Sequence, residues 1–152
     1  MDRQLDHHDV RRSGNRYPLS LVCPGWHDPR NVGSAFRLAD AAGIAGLVLG
    51  GSTPTPPNNR LNRTARSTVR CVPWRSVPDT ATFLRERRAA GDLLLGLELT
   101  THSESLLTAD LAGWADRPTL LLAGAEDHGL PPSCSPSATA PSTYPCTGKI
   151  PP

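Results

Sequence analysis

Apolar positions in this chain come in short blocks divided by polar, glycine- and proline-bearing turns. Residues 19–23 (LSLVC) read as a short buried strand. The loop PGWHDPRN follows, and then VGSAFRLADAAG, in which Val32, Ala35, Phe36, Ala39 and Ala42 fall on one helical face and Gly43 supplies a stop. Gly33, Ala35, Ala39, Ala41 and Ala42 are small enough for a neighbouring element to approach that helix closely. A second apolar run, 47–49, closes on Gly50 and Gly51. Strand, helix, strand is the repeating unit of a parallel sheet.

The segment STPTPPNN reads as turn and loop. Beyond it, Arg60, Arg63, Arg66 and Arg70 have a spacing that gathers them on one face of a helix, and Pro73 ends the region. Residues 79–90 read as a helix carrying Phe83 and Leu84, with Asp79 as cap and Gly91 as stop. Strands are expected at 93–97 and 119–122, with a polar segment and a short helix near 106–111 between them. After Leu130 the chain is rich in proline and shows neither helical nor strand periodicity. The expected fold is α/β, an open parallel sheet with helices on both faces. Residues 1–18 form a flexible arm and 19–152 one domain. The chain stops at Pro152 without the helix expected to complete the second face, as in a fragment or a chain whose partner supplies that surface.

Length supports one domain, since 152 residues leave little room for a second. No apolar run approaches the roughly 20 residues that cross a bilayer, and no signal-peptide pattern follows the charged start, so a cytoplasmic protein is expected. Cys23, Cys71, Cys134 and Cys146 are widely spaced, which favours incidental thiols over a zinc site or disulfide framework, and no metal is expected. The net charge of +2 says little by itself. Its distribution says more, because residues 58–77 contain no acid and five arginines, Arg60, Arg63, Arg66, Arg70 and Arg75. Such a patch attracts polyanions, and arginine forks onto phosphate better than lysine does. A GC-rich coding sequence is an equally good source of the arginine bias.

Open parallel sheets bind ligands outside the carboxyl ends of their strands, which directs attention to the loops after Cys23, Leu49, Leu97 and Leu122. In the first, Asn31 opens the helix and Arg37 lies six residues on, about 120° away around the axis. Arg37 stands among small and apolar residues, where a guanidinium calls for an acidic or phosphate partner; a solvated arginine is the simpler alternative. Asn31 alone is also a common helix cap. His27 and Asp28 flank the turn and read as a solvent-facing pair rather than a catalytic dyad. In the loop after 119–122, Gly124 and Gly129 allow a tight turn, and Glu126 is placed to reach back toward Arg37 or to accept the amide of Asn31. Stabilisation of the turn itself is the plainer role for these residues. The absence of GxGxxG after the first strand, of GxxxxGK[ST] and of GxSxG removes the usual signatures of dinucleotide binding, nucleoside triphosphate binding and a serine hydrolase.

The string HDPRNVGSAFRLADAAGI resembles the first motif of the SpoU, or TrmH-like, RNA ribose methyltransferases of the trefoil-knotted SPOUT superfamily. LLLAGAEDHGL resembles their second motif, and the two occur in the family's order. The resemblance implies transfer of a methyl group from S-adenosylmethionine to a ribose 2′-hydroxyl of tRNA or rRNA. It makes Asn31 and Arg37 the catalytic asparagine and arginine, and Glu126 the glutamate that organises them. Arg37 would engage the phosphate beside the target nucleotide and help deprotonate or orient the hydroxyl, by phosphate-assisted activation since a guanidinium keeps its own proton at neutral pH. Ala125 stands where the family commonly has asparagine.

TYPCTGKIPP resembles only the opening of the third motif. Leu122, Gly124, Glu126, Gly129, Tyr144, Pro145, Cys146 and Gly148 would hold the donor. Without the helix that follows, the resemblance implies an incomplete knot and reduced donor affinity. It also implies a homodimer in the full-length form. RNA would be bound by Arg30, Arg60, Arg63, Arg66 and Arg70, with Arg3, Arg11, Arg12 and Arg16 of the arm as further candidates. A catalytically inactive RNA-binding module derived from the family is the competing expectation.

Overall fold

The computed structural model describes residues 14–98 and 117–135. Five strands, β1 (Tyr17–Pro24), β2 (Ile44–Gly50), β3 (Trp74–Val77), β4 (Leu93–Leu97) and β5 (Thr119–Ala123), form one sheet in the order β3-β2-β1-β5-β4. Every pairing is parallel. Among the described residues three helices connect them: α1 (Pro29–Ala42), α2 (Asn59–Ala65) and α3 (Thr80–Ala89).

Helix α1 forms because its ends are built for it. Asp28 takes extended angles and accepts a hydrogen bond from Arg30 N at 2.8 Å, while Pro29 sits at the first turn, where its missing N–H costs nothing. Gly43 stops the helix at φ 63°, a left-handed conformation that glycine adopts without strain. The buried face is Val32, Gly33, Ala35, Phe36 and Ala39. Gly33 lets α2 come close: a Cβ there would lie 2.7 Å from the Leu61 carbonyl oxygen and from Thr64 Cβ. Ala41 and Ala42, grouped above with the small packing residues, face solvent instead.

Strand alternation divides the core between the sheet's two faces. Cys23, Leu47 and Leu49 pack with Val32, Phe36, Leu61 and Val72 under α1 and α2. Val22, Val48, Leu94, Leu120 and Leu122 pack with Phe83 and Leu84 of α3 and with Cys134. Helices therefore cover both faces, as expected. Burial pushes the Cys23 thiol up to about 12 and raises that of Cys134, so both behave as apolar side chains at neutral pH.

Four sequence expectations need correction. Strand β1 begins at Tyr17, inside the expected arm, and Arg16 is fastened to the domain by donating to Ile44 O at 3.0 Å and Cys71 O at 2.8 Å. Strand β3 was not anticipated, because its four residues lie at the sheet edge, where exposure of Trp74, Arg75 and Ser76 erases the apolar signal. Arg60, Arg63, Arg66 and Arg70 do not share one helix: α2 stops before Arg66, whose φ of 55° breaks the run, and a 3-10 turn carries Arg66–Arg70. Asn31 is not the cap of α1; Asp28 is. The arm before residue 14, the short helix expected near 106–111 and the segment from 136 onward lie outside the described residues.

Phe36 is fully buried between α1 and the sheet. Phe36→Ala is expected to destabilise the fold by about 3–5 kcal/mol in urea unfolding, against no more than about 0.5 kcal/mol for Glu86→Ala on the exposed side of α3. Equal losses would contradict this assignment of the core.

Candidate functional site

The loops after β1 and β5 leave the same edge of the sheet. Trp26 joins them, donating from its indole Nε1 to Ala123 O at 2.8 Å and from its backbone N to Thr53 Oγ1 at 3.0 Å. Thr53 is buried after β2, with Oγ1 2.8 Å from the carbonyls of Cys23 and Gly50, so the ends of β1 and β2 share one hydroxyl.

The β5 loop doubles back on itself. Ala125 N donates to Gly129 O at 3.0 Å, and Gly129 N donates to Ala125 O at 2.8 Å. Gly129 turns the chain at φ 66°, and a Cβ on Gly124 would collide with the backbone of Gly129 and Leu130. Glu98, just past β4, braces the turn by accepting Leu130 N at 2.8 Å. Glu126 then projects toward α1, where Asn31 Nδ2 donates to its Oε2 at 3.3 Å. Between the loops and α1 opens a cleft of about 700 Å³, within the usual range of small-molecule sites. Leu21, Trp26 and Leu38 give it apolar walls, and Asn31, Gly124 and Glu126 line its polar side.

Charges surround the mouth. Asp28 is held below the usual carboxylate range, first by hydrogen bonds from the Arg30 side chain and backbone and less by the more distant charge of Arg60. Arg30 is raised in turn by the same pair, whose closest contact is 2.7 Å. Across the cleft, Asp127 Oδ2 lies 3.6 Å from His27 Nδ1 and 3.5 Å from His128 Nε2.

Asn31 and Glu126, 95 residues apart, are therefore brought together, and Gly124 stands beside them. Arg37 is not. It is exposed, lies off the Asn31, Ser34, Ala35, Leu38 stripe that borders the cleft, and its guanidinium makes no hydrogen bond or ion pair with another described residue. The sixth residue along a helix cannot share a face with the first without a long reach. Leu122, expected at the donor site, has its side chain wholly buried on the α3 face, because strand alternation turns it away. Gly129 shapes the loop without bordering the cleft. Arg30, Arg60, Arg63, Arg66 and Arg70 are all exposed, although Arg30 is forked onto Asp28. Tyr144, Pro145, Cys146 and Gly148 lie outside the described residues. Sequence reasoning missed Trp26, Thr53, Glu98 and Asp127, whose partners are distant in the chain and leave no local pattern. Among the described residues, no cluster of three His, Cys, Asp or Glu side chains is placed to hold a metal ion, and no helix is long and apolar enough to cross a membrane.

An open parallel sheet with a glycine-turned, glutamate-bearing loop facing a capped helix at its carboxyl edge is an arrangement of SPOUT methyltransferases. The pattern of the SpoU rRNA Methylase family matches residues 18–150, and the chain belongs to that family. It is similar to the 23S rRNA (guanosine-2′-O-)-methyltransferase RlmB of Ralstonia nicotianae, with 32% identity over 74% of this chain and 43% of that protein. Against the RlmB of Vibrio parahaemolyticus, identity is 30% over 84% of this chain and 51% of the relative. The AdoMet-bound rRNA methyltransferase of Sinorhizobium meliloti superposes with a TM-score of 0.70 at 29% identity, covering 97% of this chain and 54% of that one. The chain thus spans about half the length of the relatives it matches.

The Asp28 carboxylate tests this electrostatic arrangement. Its folded pKa is depressed, so its contribution to stability is present above the unfolded value and lost as pH falls through the folded one. Asp28→Asn keeps a cap acceptor but removes the charge. From about pH 5 downward, the urea midpoint of the parent is expected to fall more steeply than that of Asp28→Asn. Parallel curves would show that Asp28 carries no such linkage.

Proposed function

We propose that this chain is the catalytic-domain portion of an S-adenosylmethionine-dependent RNA 2′-O-ribose methyltransferase, with ribosomal RNA as the favoured substrate. The observation that carries the reading is the Asn31–Glu126 contact, which joins the family's two motifs at a ligand-sized cleft. The names of the curated relatives support ribosomal RNA and guanosine ribose, and a donor-bound structural relative supports S-adenosylmethionine.

The residues present suit that donor. Gly124 and Gly129 let the loop fold tightly back on itself, which sets Gly124, Ala125 and Glu126 along the cleft. Leu21, Trp26 and Leu38 offer apolar surface for a purine and a thioether chain. When bound, the donor supplies an electrophilic methyl group, and alignment of oxygen, carbon and sulfur is the protein's share of the catalysis. Glu126 holds the Asn31 amide, leaving its carbonyl oxygen as an acceptor for a substrate hydroxyl or donor group. Arg60, Arg63, Arg66 and Arg70 form an exposed basic flank for phosphate.

Arg37 serves RNA rather than its own cleft, in keeping with its exposure. Helix α1 also presents Leu38, 67% exposed, beside Ala41 and Ala42. This apolar strip is the surface we assign to a second copy of the chain, in keeping with the homodimer that the family resemblance implies. Cytoplasmic residence belongs to the same reading, since the relatives it matches are bacterial rRNA methyltransferases.

Incubation with methyl-labelled S-adenosylmethionine and ribosomal RNA, followed by nuclease digestion, is expected to yield labelled 2′-O-methyl nucleosides. Asn31→Ala and Glu126→Ala should each lower the rate by about 10²-fold or more, as loss of a positioning group does. Arg60→Ala and Arg63→Ala should weaken RNA binding and each reduce the salt slope by about 1. RNA binding by the parent with no labelled nucleoside would favour the inactive binding module instead.

A further inference from the structure

Among the described residues two large aromatic side chains are exposed, Tyr17 and Trp74. Of the two, Trp74 falls in the stretch 58–77, which holds five arginines and no acid. It opens edge strand β3, where it pairs with Leu47 on one side and has no described strand on the other. Its ring meets Phe36 edge to face, with centroids 6.5 Å apart, and so seals the core beneath. The residue is still 36% exposed, so that packing accounts for the inner part of the indole and leaves the outer part to solvent. Leaving so large an apolar surface wet at a sheet edge forgoes stabilisation that burial would give.

The chain before Trp74 is fixed in place. Arg66 adopts φ 55° and ψ −130°, a strained conformation for a residue with a side chain, where α2 ends and the 3-10 turn leading to β3 begins. Val69 and Val72 anchor that turn in the core under α1 and α2, and Arg16 clamps it by donating to Cys71 O at 2.8 Å. Arg66 and Arg70 are both exposed on it. Arg70 lies four residues before Trp74, so their Cα atoms are at most about 14 Å apart. Arg75 is directed elsewhere: alternation puts it on the opposite face of the sheet, with its guanidinium 4.5 Å from the centre of the Phe83 ring. An exposed indole beside guanidinium groups, with no carboxylate in the segment, suits a single-stranded nucleic acid, whose bases stack and whose phosphates pair with arginine. An apolar partner would give the arginines no counter-charge, and an acidic peptide would give the indole nothing to stack on.

Building on the reading of the chain as an RNA methyltransferase, we propose that Trp74 is a stacking platform for an unpaired base of the substrate RNA, with Arg66 and Arg70 holding the phosphates next to it. Trp74 does not line the cleft, so the base it takes belongs to a nucleotide other than the one modified. The contact fixes where the RNA lies on the protein and favours substrates that are single-stranded at that point. Stacking tolerates any base, so the platform reads strandedness rather than sequence.

Single-stranded oligoadenylate and an abasic ribose-phosphate oligomer of equal length are the probes. The parent is expected to bind oligoadenylate the more tightly. Trp74→Leu, which keeps apolar cover over Phe36, should lose about 5–150-fold on oligoadenylate and nothing on the abasic oligomer. Its salt slope should stay that of the parent, whereas Arg70→Ala should lower the slope by about 1. Trp74→Phe should restore most of the affinity. Irradiation of the parent with oligo(5-iodouridylate) should give an adduct at Trp74, a readout that needs no variant to fold. Equal binding of oligoadenylate by the parent and Trp74→Leu, or no adduct at Trp74, overturns the platform. Equal loss on both probes overturns it as well and leaves Trp74 a purely structural residue. Self-association of the parent that Trp74→Leu abolishes, without an adduct, would assign the edge to a second copy instead. In each case methyl transfer stands if labelled 2′-O-methyl nucleosides still form; a parent that forms none and binds no RNA takes down both readings.

Discussion

Everything at the site depends on β1 and β5 lying side by side in one register. Leu19 pairs with Thr119, Leu21 with Leu121 and Val22 with Leu122, so the loops that follow must emerge together. A slip by one residue would turn Val22 and Leu122, both wholly buried, away from the α3 face and expose apolar surface. Burial on one face thus specifies the position of polar groups at the edge. Asn31 and Glu126 meet because Val22 and Leu122 have no acceptable alternative.

The edge is then held by contacts that cross between strand ends. Trp26 reaches Ala123, Thr53 gathers Cys23 and Gly50, and Glu98 secures Leu130. The result is a rigid floor with an open mouth, which suits a reaction governed by alignment. Its charged groups divide by location. Carboxylates and imidazoles gather at the mouth together with Arg30, while Arg60, Arg63, Arg66 and Arg70 lie exposed along α2 and the turn after it.

Much of this order is legible in the sequence wherever the determining contacts are local. The α1 stripe and the glycine stop define that helix, and the short apolar blocks locate β1, β2, β4 and β5 to within a few residues. Edge strand β3 is hidden because backbone pairing to β2, rather than side-chain burial, holds it. The break at Arg66 is hidden because a positive φ at arginine has no sequence signature. At the site, motif resemblance finds Asn31 and Glu126, but local spacing leaves open whether Glu126 takes Asn31 or Arg37. The structure selects Asn31, because Arg37 is rotated off the cleft face of α1. His27 illustrates the same limit: its neighbour in sequence, Asp28, is drawn to Arg30, and its partner in space is Asp127.

The central claim is that Asn31 and Glu126 act as one unit across the two strand ends. A double-mutant cycle in methyl-transfer rate, using Asn31→Ala, Glu126→Ala and the pair, tests it most directly. If the two side chains work through each other, the double variant is no slower than the worse single variant. Losses that multiply would mean that the two groups act independently, and the account of this cleft as a joined site would be wrong.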